Sequence, residues 1–333
     1  MVKARKYVVK KHFEGLPKRE DFDIVEYELP PLKNGEILVK VEWVSVDPYL
    51  RAYNSRFPVP YDQFGFQVGI VEDSKDPRYP VGTRVVSHKG WCDYCIINTT
   101  DTSVEPAEIP HKLPNLKGLS NSLGVGAVGM PGCTAYFGFL ELCQPKAGET
   151  VVVSGAAGAV GSLVGQIAKI KGCKVIGFAG SDDKLKWLEE IGFDKAINYK
   201  TADIAKALKE AAPNGVDCYF DNVGGELSSV IINQMNEFGR VSVCGAISSY
   251  NDAELPKSTI LQPALVSKQL KIEGFIVWRW YSRHSEAFAE ITKWILSGEL
   301  KPREHITEGF ENMVDAFVGM LKGDNYGKAV VKL

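Results

Sequence analysis

The chain has 333 residues, 45% of them hydrophobic and 24% charged, with a formal net charge of −2. That length suits two ordinary soluble domains, and a near-neutral charge without single-sign runs argues against nucleic acid or an anionic membrane as partner. No apolar run reaches membrane-span length and Met1–Tyr7 has no signal-peptide core. With seven mostly isolated Cys, a cytoplasmic location with reduced thiols is expected.

Residues 1–125 read as β-rich. Lys6–Lys10 opens a strand, Phe22–Leu29 alternates apolar and polar side chains, and Glu36–Val44 alternates again after Pro30–Pro31 and Asn34–Gly35. Val68–Glu72 and Thr83–Ser87 flank the turn-rich Asp76–Gly82, and Trp91–Asn98 adds a further strand. Short strands cut by Pro and Gly predict a partly closed barrel. The Gly-rich Asn121–Pro131 leads into a helix over Thr134–Leu142, after which strands and helices alternate.

Val151–Val153 is a run of β-branched residues, which reads as a buried strand. A turn of Gly and Ala follows, then Val160, Leu163, Val164 and Ile167 at helical spacing. Ala156, Gly158 and Gly161 stand at the spacing of the dinucleotide fingerprint, with Ala in place of the first Gly. A small residue at 158 would let the backbone approach a pyrophosphate, and the helix start would offer free N–H groups. The competing reading is a small-residue turn that only packs helix on strand. Further strands are predicted at Cys173–Phe178, Lys195–Tyr199, Val216–Asp221, Arg240–Cys244 and Leu270–Val277, with helices between. That series predicts a six-stranded doubly wound α/β domain over 126–300. Helix Glu286–Ser297 is expected to lead out of it. Gly327–Leu333 is expected to return as a strand to the first domain, which then comprises 1–125 and 301–333.

An NAD site wants a carboxylate about 20 residues past the fingerprint. Ile176–Gly180 ends without an acid, and Ser181 and Lys184 follow. An ammonium suits a 2′-phosphate, although Asp182 and Asp183 are awkward neighbours, and NADPH/NADP is the expected cofactor once the family resemblance given below is added to the missing carboxylate. The alternative makes Ser181 a helix cap and Lys184 a solvated first-turn side chain.

No zinc site is expected. Cys92–Cys95 is the one close Cys pair, and in an alternating strand residues three apart face opposite sides. His12, His88, His111, His284 and His305 are scattered, and all five read as surface or core residues. Gly158–Gly161 lacks the Ser of a nucleophile elbow, so hydrolysis has no support.

Ser154–Ser162, Gly180–Lys184, Phe220–Gly225, Cys244–Tyr250 and Met320–Asn325 together resemble the prostaglandin reductase family of zinc-independent medium-chain dehydrogenase/reductases, also called alkenal/one reductases. Val46–Arg51 and Met130–Tyr136 fit the same pattern, so the resemblance spans the chain. It implies a GroES-like barrel domain plus a Rossmann domain. It puts Gly158, Ala159, Val160 and Gly161 on the pyrophosphate, Lys184 on the 2′-phosphate, Tyr199 near the adenosine and Asn222 beside the nicotinamide ribose. It runs Cys244, Gly245, Ala246, Ile247, Ser248, Ser249 and Tyr250, with Phe275, Ile276 and Val277, along the nicotinamide pocket. Asn325 reaches the cofactor from the returning tail.

Tyr49 and Arg51 resemble substrate-cleft residues of the family, although Arg51 is read equally well as the partner of an internal carboxylate. Ser267 aligns where many relatives carry a substrate-contacting Tyr. Trp278, in Val277–Tyr281, reads as part of an apolar pocket or of a subunit contact, and the family implies a homodimer. The implied reaction is reduction of the C=C bond of an enone or alkenal, with Tyr250 a candidate donor to the carbonyl oxygen where enolate charge collects. Two alternatives stay open: a zinc-free quinone reductase, and a nucleotide-binding protein with little catalysis.

Overall fold

The computed structural model describes residues 2–101, 109–254, 259 and 261–333. It divides into two units, 1–129 with 304–333, and 130–303.

The first unit opens with β1 (Lys3–Val9), β2 (Phe22–Glu28) and β3 (Glu36–Ser45), then a short α1 (Tyr49–Ala52) and β4 (Tyr61–Asp62). It continues through β5 (Gln67–Ser74), β6 (Arg84–Ser87), β7 (Tyr94–Asn98) and β8 (His111–Lys112). β3 is its spine: it pairs antiparallel with β5 along one edge and with β7 on the other. Ile37, Val39 and Val41 of β3 face the main core while Leu38 packs with Ala4, Leu29 and Leu32, so both faces of this strand carry apolar side chains. The core is aromatic: Trp91 stacks on Phe22 at 5.8 Å and meets Tyr7 edge-on at 5.6 Å.

The second unit holds α2 (Met130–Leu140), β9 (Thr150–Val153), α3 (Gly161–Ile170), β10 (Lys174–Ala179), α4 (Asp182–Glu190) and β11 (Lys195–Asn198). Next come α5 (Ile204–Ala211), β12 (Val216–Asp221), α6 (Gly225–Asn233), β13 (Met235–Val243), α7 (Gln262–Ser267), β14 (Lys271–Gly274) and α8 (His284–Ser297). Its six-stranded sheet runs in the order β11-β10-β9-β12-β13-β14, every neighbouring pair parallel. The strand order reverses between β9 and β12, and the crevice beyond their carboxyl ends is where such sheets bind ligands. All of β9 is buried, as expected for a central parallel strand.

α8 does not lead out of this unit, contrary to the sequence expectation. Its buried face of Ala287, Ile291 and Trp294 needs cover, and α2 supplies it, with the Tyr136 and Trp294 rings 6.0 Å apart.

The chain then re-enters the first unit through β15 (Glu304–Glu308), α9 (Met313–Lys322) and β16 (Lys328–Lys332). β16 pairs antiparallel with β3, Val330 opposite Ser45, and Phe317 of α9 packs edge-on against Trp91 at 5.7 Å.

Candidate functional site

The turn between β9 and α3 is built around a close backbone approach. Gly155 adopts a left-handed conformation (φ +58°), and the Ala156 N–H donates to the Phe178 carbonyl at 3.0 Å, tying the turn to β10. A Cβ on Gly161 would sit 2.4 Å from the Gly155 carbonyl oxygen, so only Gly lets α3 close on this turn. At Gly158 the same approach would be 3.2 Å. Steric necessity therefore rests on Gly161, while Gly158 keeps the outer surface of the turn bare. No side chain caps α3 at Val160. The N–H groups of Ala159 and Val160, just before α3, and of Gly161, its first residue, are the donors that suit an anion here, together with the partial positive charge of the helix start.

Beyond β10, a Cβ on Gly180 would lie 2.9 Å from the Tyr199 hydroxyl, which puts Tyr199, 42% exposed, beside this strand end. Ser181 is the N-cap residue of α4, yet its side chain makes no capping hydrogen bond. Lys184 lies in the first turn of that helix. In the same turn, Asp182 accepts from Asn198 Nδ2 at 2.8 Å, and Asp183 pairs with Lys186 at 3.3 Å.

At the end of β12 stands a group the sequence reading missed. Asp221 is buried, and its Oδ1 accepts from Ser154 Oγ (3.0 Å), Tyr219 Oη (2.8 Å) and the N–H groups of Val223 and Gly224 (both 2.9 Å). Its Oδ2 accepts from Ser228 Oγ at 2.7 Å. Asn222 donates through Nδ2 to the Ser154 carbonyl at 2.8 Å, which links β12 to the fingerprint turn. The loop 244–250 docks on the same place: Cys244 and Gly245 N–H donate to the Asp221 carbonyl at 2.8 and 3.2 Å, and Ile247 N–H to the Asn222 carbonyl at 3.2 Å. An Asp closing a buried strand immediately before Asn-Val-Gly-Gly was the available signal.

Tyr250 turns back over its own loop, its hydroxyl accepting the Ala246 N–H at 3.2 Å. Along 275–278 the expected pocket residues diverge. The Phe275 ring packs under Gly138, where a Cβ would come within 2.2 Å of it, so its side chain faces the core. Ile276 is 57% exposed, Val277 is buried, and Trp278 lies 5.5 Å from the His284 ring.

Ser267 is not brought to this edge of the sheet. It ends α7, exposed, just before β14, and the neighbouring Lys268 carbonyl accepts the Phe238 N–H at 2.8 Å near the start of β13. In a parallel pair the residues that precede both strands share the edge opposite to the carboxyl ends. Strand direction thus separates Ser267 from Asn222 and the 244–250 loop.

In the first unit, Tyr49 opens α1, and its hydroxyl lies 3.1 Å from His88 Nε2. Burial drives the Tyr49 hydroxyl well above its ordinary value and pushes His88 down to about 4. Tyr53, Phe57, Tyr61, Phe64 and Phe66 extend the ring cluster around this pair. Arg51 donates through Nε to the Gly15 carbonyl at 3.0 Å, and burial lowers its pKa.

The segment before α1 is clamped from beneath: buried Lys328 pairs with Asp47 at 3.0 Å and donates to the carbonyls of Val46 and Ala329 at 2.6 and 2.8 Å. Asn325 donates to the Gly327 carbonyl at 2.7 Å, shaping the turn into β16.

Cys92 and Cys95 do not face opposite sides. The chain bends at Asp93 before β7 starts, and both sulfurs reach the side-chain amide of Gln67. Among the described residues no three His, Cys, Asp or Glu side chains group as a metal site would require.

Two family models match: a zinc-binding dehydrogenase model over residues 159–297 and a model of the N-terminal domain of oxidoreductase over residues 5–104. The chain is 50% identical to Prostaglandin reductase 1 of Bos taurus, with both chains covered completely. It is 37% identical to a 2-alkenal reductase (NADP(+)-dependent) of Nicotiana tabacum, over 99% of this chain and 97% of that one. The solved structure of CurA in complex with NADPH from Vibrio vulnificus superposes with a TM-score of 0.91 at 37% identity, over 98% of each chain.

Proposed function

The chain belongs to the zinc-independent prostaglandin reductase family of the medium-chain dehydrogenase/reductases, and from that premise we propose an NADPH-dependent reductase of the C=C bond of α,β-unsaturated ketones and aldehydes. The observation that carries the reading is the likeness to Prostaglandin reductase 1 along the whole chain. A dinucleotide fits the residues present: a turn that only Gly161 allows to close, an uncapped helix start, and no carboxylate at the end of β10.

NADPH, when bound, supplies the hydride for the β-carbon. The chain's own residues then have three tasks. Ala159 to Gly161 hold the pyrophosphate through backbone N–H groups, and Ser181 with Lys184 holds the 2′-phosphate, beside Tyr199 at the adenosine. Asn222 and the 244–250 loop, braced by Asp221, orient the nicotinamide riboside, with backbone from 275–277 alongside.

Hydroxyl donors aimed at the substrate's carbonyl oxygen stabilise the charge that collects there, and a proton is delivered to the α-carbon. Tyr250 is the donor proposed from the second unit, and Tyr49 is proposed as a substrate-contacting hydroxyl of the first. Phe275 contributes through its backbone, since its ring is committed to the core.

The rings around Tyr49, with Phe57 exposed, suit an apolar tail, so 15-oxo-prostaglandins and lipid-derived alkenals are the substrates proposed, in a cytoplasmic enzyme of lipid metabolism. β14 ends the sheet, and its open edge suits pairing with a second copy in a homodimer.

The test follows loss of reduced-nicotinamide absorbance with a 15-oxo-prostaglandin, a nonenal and a quinone, using NADPH and NADH, with mass spectrometry of the products. Saturation of the enone with preference for NADPH is expected. Turnover of the quinone alone, or cofactor binding without oxidation, overturns the reading.

A further inference from the structure

Cys92 and Cys95 are a Cys-X-X-Cys pair that the proposed reaction leaves unused. Gln67 Nε2 donates to Cys95 Sγ at 3.1 Å, and the Cys92 thiol donates to Gln67 Oε1 at 3.5 Å. The two sulfurs thus sit on the two ends of one side-chain amide. Both line a cavity of about 290 Å³ within the first unit, together with Tyr7, Tyr27, Lys33 and Lys89. Of the two, Cys95 is 6% exposed and Cys92 3%, so a small solute in that cavity reaches Cys95 first.

The two sulfurs are not equivalent. The neighbouring Cys92 thiol, the Gln67 amide and the charge of Lys89 together outweigh burial and favour the Cys95 thiolate. Cys92, next to Cys95 and itself buried, is held as the thiol. An attacking thiolate beside a protonated resolving thiol is the arrangement of a reactive dithiol.

The chain carries its own control. Cys143 and Cys218 are also neighbours, Cys218 Sγ lying 3.7 Å from the Cys143 carbonyl, but both are 0% exposed in the core of the second unit.

We propose that Cys92 and Cys95 form a reversible disulfide when the protein meets an alkyl hydroperoxide. The Cys95 thiolate attacks the outer peroxide oxygen, the O–O bond breaks, and the alkoxide leaves as an alcohol after taking a proton from water. The resulting sulfenic acid condenses with the Cys92 thiol, forming the S–S bond and expelling water. Two electrons pass from the thiol pair to the peroxide.

The experiment treats the full chain with tert-butyl hydroperoxide, blocks the remaining thiols with a maleimide, and maps tryptic peptides. Both cysteines fall in the peptide 90–112. The expected result is loss of about 2 Da from that peptide, reversed by dithiothreitol, at a rate on the order of tenfold or more above any change at Cys143 and Cys218. Cys92→Ser should leave a sulfenic acid on Cys95 that a cyclic diketone traps. Oxidation that spares 90–112, or that proceeds as fast at Cys143 and Cys218, overturns the proposal. The mapping on the unaltered chain decides the matter even where a variant fails to fold.

Discussion

The Tyr49 hydroxyl and His88 Nε2 lie 3.1 Å apart, with the two rings within 25° of parallel. Burial keeps His88 neutral near pH 7, so it carries a single N–H. With that hydrogen on Nε2, His88 donates to the Tyr49 oxygen and leaves the Tyr49 O–H for the substrate contact proposed for it. His88→Gln, which retains a donor, should keep kcat close to that of the unaltered chain. His88→Leu should lower kcat by about tenfold to a hundredfold with KM for NADPH unchanged. Steady-state kinetics with one enone checks this, and equal losses in both variants would show that the ring serves only packing.

The same burial makes a stability prediction. His88 falls from 6.5 in the open chain to about 4 when folded, so between those values the unfolded chain binds more protons. Stability from this group is complete above about pH 6.5 and is lost as pH falls toward 4, amounting to about 3 kcal/mol. His88→Gln should flatten the acid limb of a plot of Tm against pH. An unchanged acid limb sinks the assignment.

Lys184, in the first turn of α4, is the residue proposed to read the 2′-phosphate. Lys184→Ala should weaken NADPH by on the order of tenfold or more and leave NADH nearly unchanged, and the difference should shrink with added salt. Fluorescence titration with each cofactor measures it. Equal losses would return Lys184 to the solvated reading.

How far the site could be read from the chain depends on which features are local. A β-branched run, a small-residue turn and a helical spacing are written in consecutive residues, and so β9, the fingerprint and α3 are found where their pattern places them. Tyr49 and His88 are 39 positions apart with no periodicity to join them. Asp221 gathers partners from 154 to 228, which no spacing rule collects. The Cys pair misleads because one bend at Asp93 undoes the alternation from which opposite faces are inferred. Ser267 misleads for another reason. Alignment finds its neighbours in the chain, whereas the direction of β14 decides which edge of the sheet it occupies.

Gly161 separates a fold requirement from a ligand requirement. Its added methyl would meet the Gly155 carbonyl at 2.4 Å, against 3.2 Å for Gly158. Gly161→Ala should destabilise the chain by about 1–3 kcal/mol through a forced shift of α3. Gly158→Ala should fold with nearly normal Tm but bind NADPH more weakly, because its methyl occupies the outer surface of the turn. Thermal melts paired with cofactor titration distinguish the two, and a reversed order would refute the geometry.

Lys328 and Asp47 join the returning tail to the segment that launches Tyr49. The ammonium is 4% exposed and has Asp47, Val46 and Ala329 as partners, while Asp47 also accepts from Ser45. A charge in that position is costly alone and tolerable only as part of the set. Lys328→Met strands the Asp47 carboxylate in the core and should cost about 3–5 kcal/mol, read as a fall in the denaturation midpoint. Lys328→Met combined with Asp47→Asn removes both charges and should recover a large part of that loss. Recovery of stability without recovery of kcat would show that the pair also sets the position of Tyr49. A double variant no more stable than Lys328→Met alone would show that the ion pair is not what holds the tail to this segment.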